Sequence, residues 1–333
     1  MGKLSKLNLD ELNLDKYKNY ISIVLFVFFF LVLYFFNIHN NLVMNNCKRL
    51  NEEESLNSRS SRDDYEIKQL EKLKLFHNDD EKNEVRRIVL KSAFNCCCSG
   101  GTKNDFVDFC ALKHCAQQNI RVLDFQIFSL KNNPIVSAST QNDINYKEIY
   151  NHLSFSETID KVDEYFLSEP NPHSNNVLFL NLRIHSGNIE IYNKISEILV
   201  NKFTNSTKEI LYYSKKIENY TLEELKNKII IMVDIIHHPK YIPIFEASKL
   251  YKITLISFGK NFENSAHNEN NSELQSLNKL SSIYPNNTSS AKNYDFMKGI
   301  ENKYVFIYMN IQTKDIYLKE YNRYFGDLYF KIV

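Results

Sequence analysis

The segment IRVLDFQIFSL (residues 120–130) is an almost unbroken apolar run, followed by the turn-forming residues NNP. Its length and its content of β-branched and aromatic residues predict a buried strand. Runs of the same kind lie at 87–94, 176–184, 228–235, 253–259 and 303–309. Strands that are apolar along their whole length are typical of parallel sheets with both faces covered by helices.

Amphipathic stretches lie between several of these strands, at 105–118, 155–167 and 189–203. Alternating strands and helices predict an α/β fold with a parallel sheet. Residues 85–333 match the roughly 250 residues of a (β/α)8 TIM barrel, closed by a last strand at the C-terminus, with an open doubly wound sheet as the alternative. We expect a flexible loop at the asparagine- and serine-rich residues 260–282.

Residues 20–38 form a stretch of nineteen residues without a charge. As a helix it would be about 28 Å long, enough to cross a hydrocarbon core. We therefore predict a short tail (1–19), one transmembrane helix (20–38) and a polar linker (39–84) with a short amphipathic helix at 64–75. A cleaved signal peptide is the alternative, although the run is long for one and no small-residue cleavage site follows it.

The side of the membrane that carries the large domain stays open. Four lysines precede the apolar stretch, which slightly favours a cytosolic N-terminus: Lys3, Lys6, Lys16 and Lys18. The clustered cysteines argue the other way, because reduced thiols are typical of the cytosol. Glycosylation sequons at Asn205, Asn219 and Asn286 arise easily by chance in an asparagine-rich chain.

Charge and motifs exclude some classes of function. The net charge is only +1, so the sequence gives no electrostatic reason to expect a nucleic-acid partner. Phosphate-binding motifs of the GxGxxG and GxxxxGK[ST] kinds are missing. The six cysteines include three in a row, which suits buried reduced thiols better than a disulfide framework. A zinc site from Cys96–Cys98 with Cys110, His114 and Cys115 is a weaker alternative without the usual CxxC pairs.

Three segments together resemble the catalytic X region of phosphatidylinositol-specific phospholipase C: LKSAFNCCCSGG with the DFVDFCALKHCAQQNIRVLDFQIFS that follows, NVLFLNLRIHS, and LEELKNKIIIMVD. A fourth segment, residues 283–327, resembles the Y region of that family more weakly. The resemblance covers most of residues 85–333 and implies a distorted TIM barrel with its site at the C-terminal ends of the strands. It also implies cleavage of the phosphodiester between diacylglycerol and an inositol headgroup. Active relatives use two histidines for proton transfer, calcium held by an asparagine and three carboxylates, and lysines for the headgroup.

Carried over residue by residue, the resemblance places Asn95, Asp124, Gln126 and Arg183 at the metal positions. Only Asn95 and Asp124 keep the expected ligand type, so calcium is possible but weakened, and we expect no cofactor. The remaining family positions are degenerate: Phe94 and Ala138 stand for the two histidines, and Met232 and Asp234 for the lysines.

Arg183 has two interpretations. It either pairs with Asp124 across the mouth of the barrel, or binds a phosphate bidentately where calcium would lie. Replacement acid–base groups are conceivable at His185 and at the adjacent His237 and His238, which follow the strands at 176–184 and 228–235.

The sequence favours a single-pass, membrane-anchored phospholipase-C-like barrel that no longer hydrolyses lipid. It would bind a phosphoinositide, another phospholipid headgroup or phosphate, or act as a scaffold for proteins. The alternative is an active, metal-independent phosphodiesterase using Arg183 with His185 or His237. A third possibility is a structural membrane protein without a ligand. The first two require Asn95, Asp124, Gln126 and Arg183 to converge.

Overall fold

The computed structural model describes residues 14–57, 84–141, 145–204, 208–212, 217–235, 238–258, 265–268 and 280–332. The chain divides into two compact units, Met1–Asn46 and Cys47–Val333. The amphipathic helix predicted at 64–75, and most of the loop predicted at 260–282, lie outside the described residues.

The first unit consists, in its described part, of one long helix. Helix α1 (Leu14–Asn57) carries the predicted apolar stretch, whose side chains are exposed from Tyr17 to Asn37. Its most apolar 18-residue window has a mean hydropathy of 2.7, so α1 is long and apolar enough to cross a membrane. The helix does not end at residue 38 as predicted. It continues to Asn57, because the polar residues that follow include no proline or glycine to end it.

The second unit is built around a curved sheet. Its strands in the described ranges are Ile88–Ala93 (β1), Val122–Leu130 (β2), Asn133–Ser137 (β3), Leu153–Ser154 (β4), Leu178–His185 (β5), Glu209–Ile210 (β6), Lys228–Asp234 (β7), Ile256–Phe258 (β8), Ser265–Asn268 (β9), Ser281–Tyr284 (β10), Phe306–Met309 (β11) and Phe330–Ile332 (β12). The main ladder runs β6–β7–β5–β2–β1–β11–β10–β9 and is parallel throughout.

Short strands extend this ladder. Strand β8 pairs in parallel with the end of β7, and β3 folds back on β2 as an antiparallel hairpin. The last strand, β12, was expected to close the barrel, but it pairs antiparallel with the start of β1. The sheet is therefore mixed, with a parallel core.

Side chains from distant strands meet inside the curve of the sheet. Phe179 on β5 contacts Phe306 on β11 with ring centroids 5.5 Å apart, although β2 and β1 lie between these strands in the ladder. Phe258 on β8 reaches the same ring at 6.2 Å. The sheet thus curls around an apolar interior, as in a distorted TIM barrel, and we call it the barrel.

Helices cover the outside of the barrel. They are Phe109–Gln117 (α2), Phe155–Val162 (α3), Ile189–Phe203 (α4), Ile242–Ala247 (α5), Lys249–Ile253 (α6), Met297–Glu301 (α7) and Ile316–Phe325 (α8), with a π-helical turn at Asp163–Leu167. Leu180, Leu182 and Ile184 of β5 belong to the core under these helices. The alternate residues Asn181, Arg183 and His185 belong to the opposite face, as the two-residue period of a strand requires.

Candidate functional site

The predicted residues converge just beyond the end of β1, in the first half of β2 and near the end of β5. Asn95 follows β1, Asp124 and Gln126 lie on β2, and Arg183 lies on β5 directly opposite Gln126. All four side chains are buried, and Asp124 has no exposed surface. The four residues therefore converge, as the first two functional hypotheses require. We call them the mouth cluster.

Arg183 forms a bidentate ion pair with Asp124. Its Nε donates to Asp124 Oδ1 at 2.8 Å, and its Nη2 donates to Asp124 Oδ2 at 2.6 Å. Nη2 also donates to Asn95 Oδ1 at 2.6 Å. Of the two interpretations of Arg183, the geometry favours the ion pair, because the guanidinium is already bound to protein groups.

Asp124 accepts two further hydrogen bonds. The backbone N–H of Asn95 donates to Oδ2 at 2.9 Å, and Asn181 Nδ2 donates to Oδ1 at 2.9 Å. An ionised carboxylate offers about four lone-pair sites, and here all of them face a donor. A metal ion would have to displace one of these donors.

Gln126 connects the mouth cluster to the segment that follows β3. Its Nε2 donates to Asn95 Oδ1 at 3.2 Å and to the carbonyl of Ser139 at 3.1 Å. Its Oε1 accepts from the backbone N–H of Ser139 at 3.0 Å. Both ends of the amide are thus used within the protein, and Gln126 acts here as a structural connector.

Phe94 lies beside the ion pair as an aromatic platform. The guanidinium carbon of Arg183 is 4.1 Å from its ring centroid, a cation–π contact. Tyr284 at the end of β10 stacks on the same ring, with centroids 5.7 Å apart and planes within 5°. Phe94 is 2% exposed, so the position where a catalytic histidine was expected is closed from solvent by aromatic packing.

The electrostatics of the mouth cluster keep Arg183 charged. Burial alone would disfavour its charge, but Asp124, and more weakly Asp234, outweigh burial and raise the pKa of Arg183 above its ordinary value. Asp234 ends β7 in register with Arg183. One cation and two carboxylates give these three groups a net charge of −1, which does not attract a phosphate.

The cluster offers little room for a ligand. A hollow beside it is lined by Asn95, Asp124 and Gln126 together with Cys97, Cys98, Val107, Phe125, Val136 and Ser137, and it has no space for a water molecule. Of the other degenerate positions, Ala138 and Met232 are fully buried. These positions carry packing groups where the family would carry polar ones.

His185 and His238 form a buried pair near the end of β5. His238 Nε2 and His185 Nδ1 are 3.1 Å apart, and the His185 ring stacks on Phe128 with centroids 4.6 Å apart. Both members of this pair are among the histidines that the sequence suggests as replacement acid–base groups. His237 lies outside the described residues, so its suggested role stays a prediction.

The cysteines differ from the prediction. Cys47, near the end of α1, is joined to Cys110 on α2 by a disulfide, so the expectation of six reduced thiols is wrong for this pair. Cys96, Cys97, Cys98 and Cys115 are free and buried, as predicted. The alternative zinc site is wrong for the described residues. Cys110 is in the disulfide, and the side chains of Cys96–Cys98, His114 and Cys115 do not form a group close enough together to hold a metal.

Comparisons with known proteins identify the fold. No family model and no curated protein sequence matches the chain. Among solved structures, PLC21 of L. pealei is similar with a TM-score of 0.57 and 12% identity, over 76% of this chain and 37% of that one. PLC21 of S. officinalis gives 0.54 and 12%, over 72% and 35%. A calcium-dependent phosphoinositol-specific phospholipase C from Pseudomonas sp. gives 0.48 and 10%, over 77% and 97%.

The chain thus spans little more than a third of the length of the PLC21 structures. It has the phospholipase-C-like fold, as the sequence resemblance predicted. At this level of identity the comparison establishes the fold alone, and what the site does must be argued from its own residues.

Proposed function

We propose that this protein is a membrane-anchored, phospholipase-C-like barrel that does not hydrolyse lipid and acts as a scaffold. The observation that carries the proposal is the bidentate Arg183–Asp124 ion pair at the position of the metal. Because Arg183 also binds Asn95, one side chain uses both groups that could still bind calcium.

The mouth of the barrel lacks the two histidines that would transfer protons in an active relative. Phe94 and Ala138 occupy the positions of the two family histidines, and neither side chain can transfer a proton; both are buried. General acid–base catalysis typically contributes about 10²–10⁴-fold to a rate, so losing both groups removes most of the catalytic power. The buried pair His185–His238 is the feature that supports the alternative, a metal-independent phosphodiesterase.

Calcium binding would require the ion pair to open. Displacing the guanidinium from Asp124 would leave a buried charge without its partner, which costs about 3–5 kcal/mol in comparable cases. The carboxylates that normally repay such a cost are missing, since Gln126 and Arg183 replace two of them. We therefore expect no calcium at the mouth cluster.

The mouth cluster is poorly suited to bind a phosphate or a lipid headgroup. Arg183 is the cation of the mouth cluster, and its donors face Asp124 and Asn95. The further carboxylate of Asp234 opposes an anion. These contacts support the scaffold over the phosphate-binding form of the proposal.

The anchor of this proposal is α1. Its apolar stretch has exposed side chains from Tyr20 to Phe36, and the helix is long enough to span a bilayer. A single span near the N-terminus would hold the barrel at one membrane surface.

An assay of the full chain in phosphatidylinositol nanodiscs, with and without calcium, tests the proposal. We expect no water-soluble inositol phosphate, while an active bacterial phospholipase C releases it from the same discs. Release that persists without calcium and disappears in Arg183→Ala, but not in the exposed control Arg323→Ala, would instead establish the phosphodiesterase.

A further inference from the structure

The disulfide joins two helices that are far apart in sequence. Cys47 lies ten residues before the end of α1, Cys110 is the second residue of α2, and 63 positions separate them. Their Cα atoms are 5.7 Å apart, close to the commonest separation in disulfides. The backbone therefore places the two sulfurs for bonding without any need for movement.

Independent contacts fix the same end of α1 on the barrel unit. Arg49 Nη2 donates to the carbonyl of Ser99 at 3.1 Å, and Lys314 Nζ donates to the carbonyl of Arg49 at 2.9 Å. Leu50, one residue further, is completely buried. The residues just after Cys47 are thus held by contacts other than the disulfide. These contacts keep Cys47 close to Cys110, where an oxidant can join the two sulfurs.

The other cysteines are poor competitors for oxidation. Cys96, Cys97, Cys98 and Cys115 are each buried in the core. Burial raises the pKa of the Cys96, Cys97 and Cys98 thiols, which leaves little thiolate to react. Cys47 and Cys110 are only partly buried. An oxidising compartment would therefore produce a single disulfide between these two residues.

We propose that the barrel lies on the oxidising, non-cytosolic side of the membrane and that the Cys47–Cys110 disulfide fastens the end of α1 to α2 there. In this step the two thiols lose two protons and two electrons as one S–S bond forms. The disulfide of a protein thiol–disulfide oxidoreductase is reduced to two thiols in exchange. Stable disulfides are rare in the cytosol, where thiols are kept reduced.

The orientation agrees with the slight charge bias around the apolar stretch, which four lysines precede and which Lys48 and Arg49 follow within about twenty residues. The sequon at Asn219 is exposed on the barrel unit and could accept a glycan on that side. The orientation rests on the proposed anchor, whereas the disulfide does not.

A metal site formed by Cys47, Cys110 and Asp108 is a competing explanation for the closeness of the two cysteines. Its carboxylate and the two sulfurs form a group whose ligand atoms lie within 4.8 Å of one another, which could hold a metal if the cysteines were reduced. A metal site would leave both thiols free after denaturation, whereas a disulfide would block them. Counting thiols therefore separates the two explanations.

The test uses the full chain with an N-terminal epitope tag, made in a cell-free system with sealed microsomes. After denaturation and alkylation without reductant, we expect four modified cysteines, and six after reduction. Cys47→Ser should give five under both conditions. The matched control Cys97→Ser should give three without reductant and five with it. Six modified cysteines without reductant would overturn the disulfide.

Protease added to the sealed microsomes reports the orientation. We expect loss of the N-terminal tag and protection of the barrel, and the reverse pattern would overturn the proposed side. Alkaline carbonate extraction tests the anchor separately. A chain that is extracted, yet protected and with four reactive thiols, would refute the proposed anchor while supporting the disulfide and its compartment.

Discussion

At the scale of single residues, the mouth cluster holds a guanidinium at the position where the resemblance predicts a divalent cation. Calcium would be exchangeable, whereas Arg183 is part of the chain and contacts Asp124, Asn95 and the ring of Phe94. The arginine and the phenylalanine suit each other, because an imidazole in place of Phe94 would face a cation. Arg183 and Phe94 are therefore chemically compatible neighbours, and each supports the other at this site.

The ion pair predicts a strong asymmetry between single and double substitutions. Arg183→Ala should lower the free energy of unfolding by about 3–5 kcal/mol, because Asp124 would stay buried without a counter-charge. The double variant Arg183→Met with Asp124→Leu should lie much closer to the wild type. Chemical denaturation of the full chain in detergent, followed by near-ultraviolet circular dichroism, measures both.

The exposed Arg323→Ala is the control and should change stability by no more than about 0.5 kcal/mol. A loss below about 1 kcal/mol for Arg183→Ala would match an exposed ion pair, and would contradict the burial on which the argument depends.

Glu148 gives a prediction about pH. Lys103 Nζ and the backbone and hydroxyl of Thr140 donate to its carboxylate at 2.6, 2.7 and 2.5 Å. Burial would raise its pKa, but these donors outweigh it and lower the pKa from 4.5 to about 2. A lowered carboxyl pKa contributes stability that is complete above about pH 4.5 and is lost as the pH falls towards 2.

Melting temperatures of the wild type and Glu148→Gln between about pH 6 and pH 3 check this sign. The wild type should be more stable at pH 6, and its advantage should shrink as the pH falls. Glu164→Gln, on an exposed side chain, serves as the control. Parallel curves for wild type and Glu148→Gln would contradict the lowered pKa. They would show that this carboxylate binds protons equally well in the folded and unfolded states.

At the scale of elements, the sequence predicts helices best where capping and apolar period agree. The helix predicted at 189–203 has those bounds, because Asn188 caps it and its apolar face repeats regularly. The helix predicted at 105–118 begins only at Phe109, because the Asp108 side chain accepts from the backbone N–H of Cys110. The apolar residues before it belong to the loop.

The disulfide, which joins α1 to α2, was not predicted from the sequence. Cys47 and Cys110 are 63 positions apart and meet only in the folded chain. The three consecutive cysteines, 96–98, do not indicate this pairing. In the chain-entropy account a closed loop of this length stabilises the folded state by up to about 4 kcal/mol. We therefore expect Cys47→Ser, or reduction of the wild type, to destabilise the barrel unit by about 2–4 kcal/mol.

Denaturation of the full chain in detergent with and without reductant measures this contribution. The reductant should shift the wild type and the control Cys97→Ser by similar amounts and leave Cys47→Ser unchanged. An equal response of Cys47→Ser to the reductant would assign the effect to other groups.

At the scale of the whole molecule, strand order decides which residues meet. The convergence of Asn95, Asp124 and Arg183 could be predicted, because β1, β2 and β5 end at the same edge of a parallel sheet. Which of His237 and His238 meets His185, and how close Asp234 comes to Arg183, depend on how β5 and β7 align. Apolar runs do not specify that register.

The mouth cluster as a whole predicts that calcium leaves stability unchanged. A ligand at one hundred times its dissociation constant would stabilise the native state by about 2.7 kcal/mol, which raises the melting temperature of a barrel of this size by roughly 5–10 °C. Because all four lone-pair sites of Asp124 face donors, we expect a shift below about 1 °C in about 1 mM calcium, measured by differential scanning calorimetry in detergent. Magnesium at the same concentration controls for general ionic effects. A calcium-specific rise that Asp124→Asn removes would mean that Arg183 releases its partner, and that the barrel keeps a working metal site.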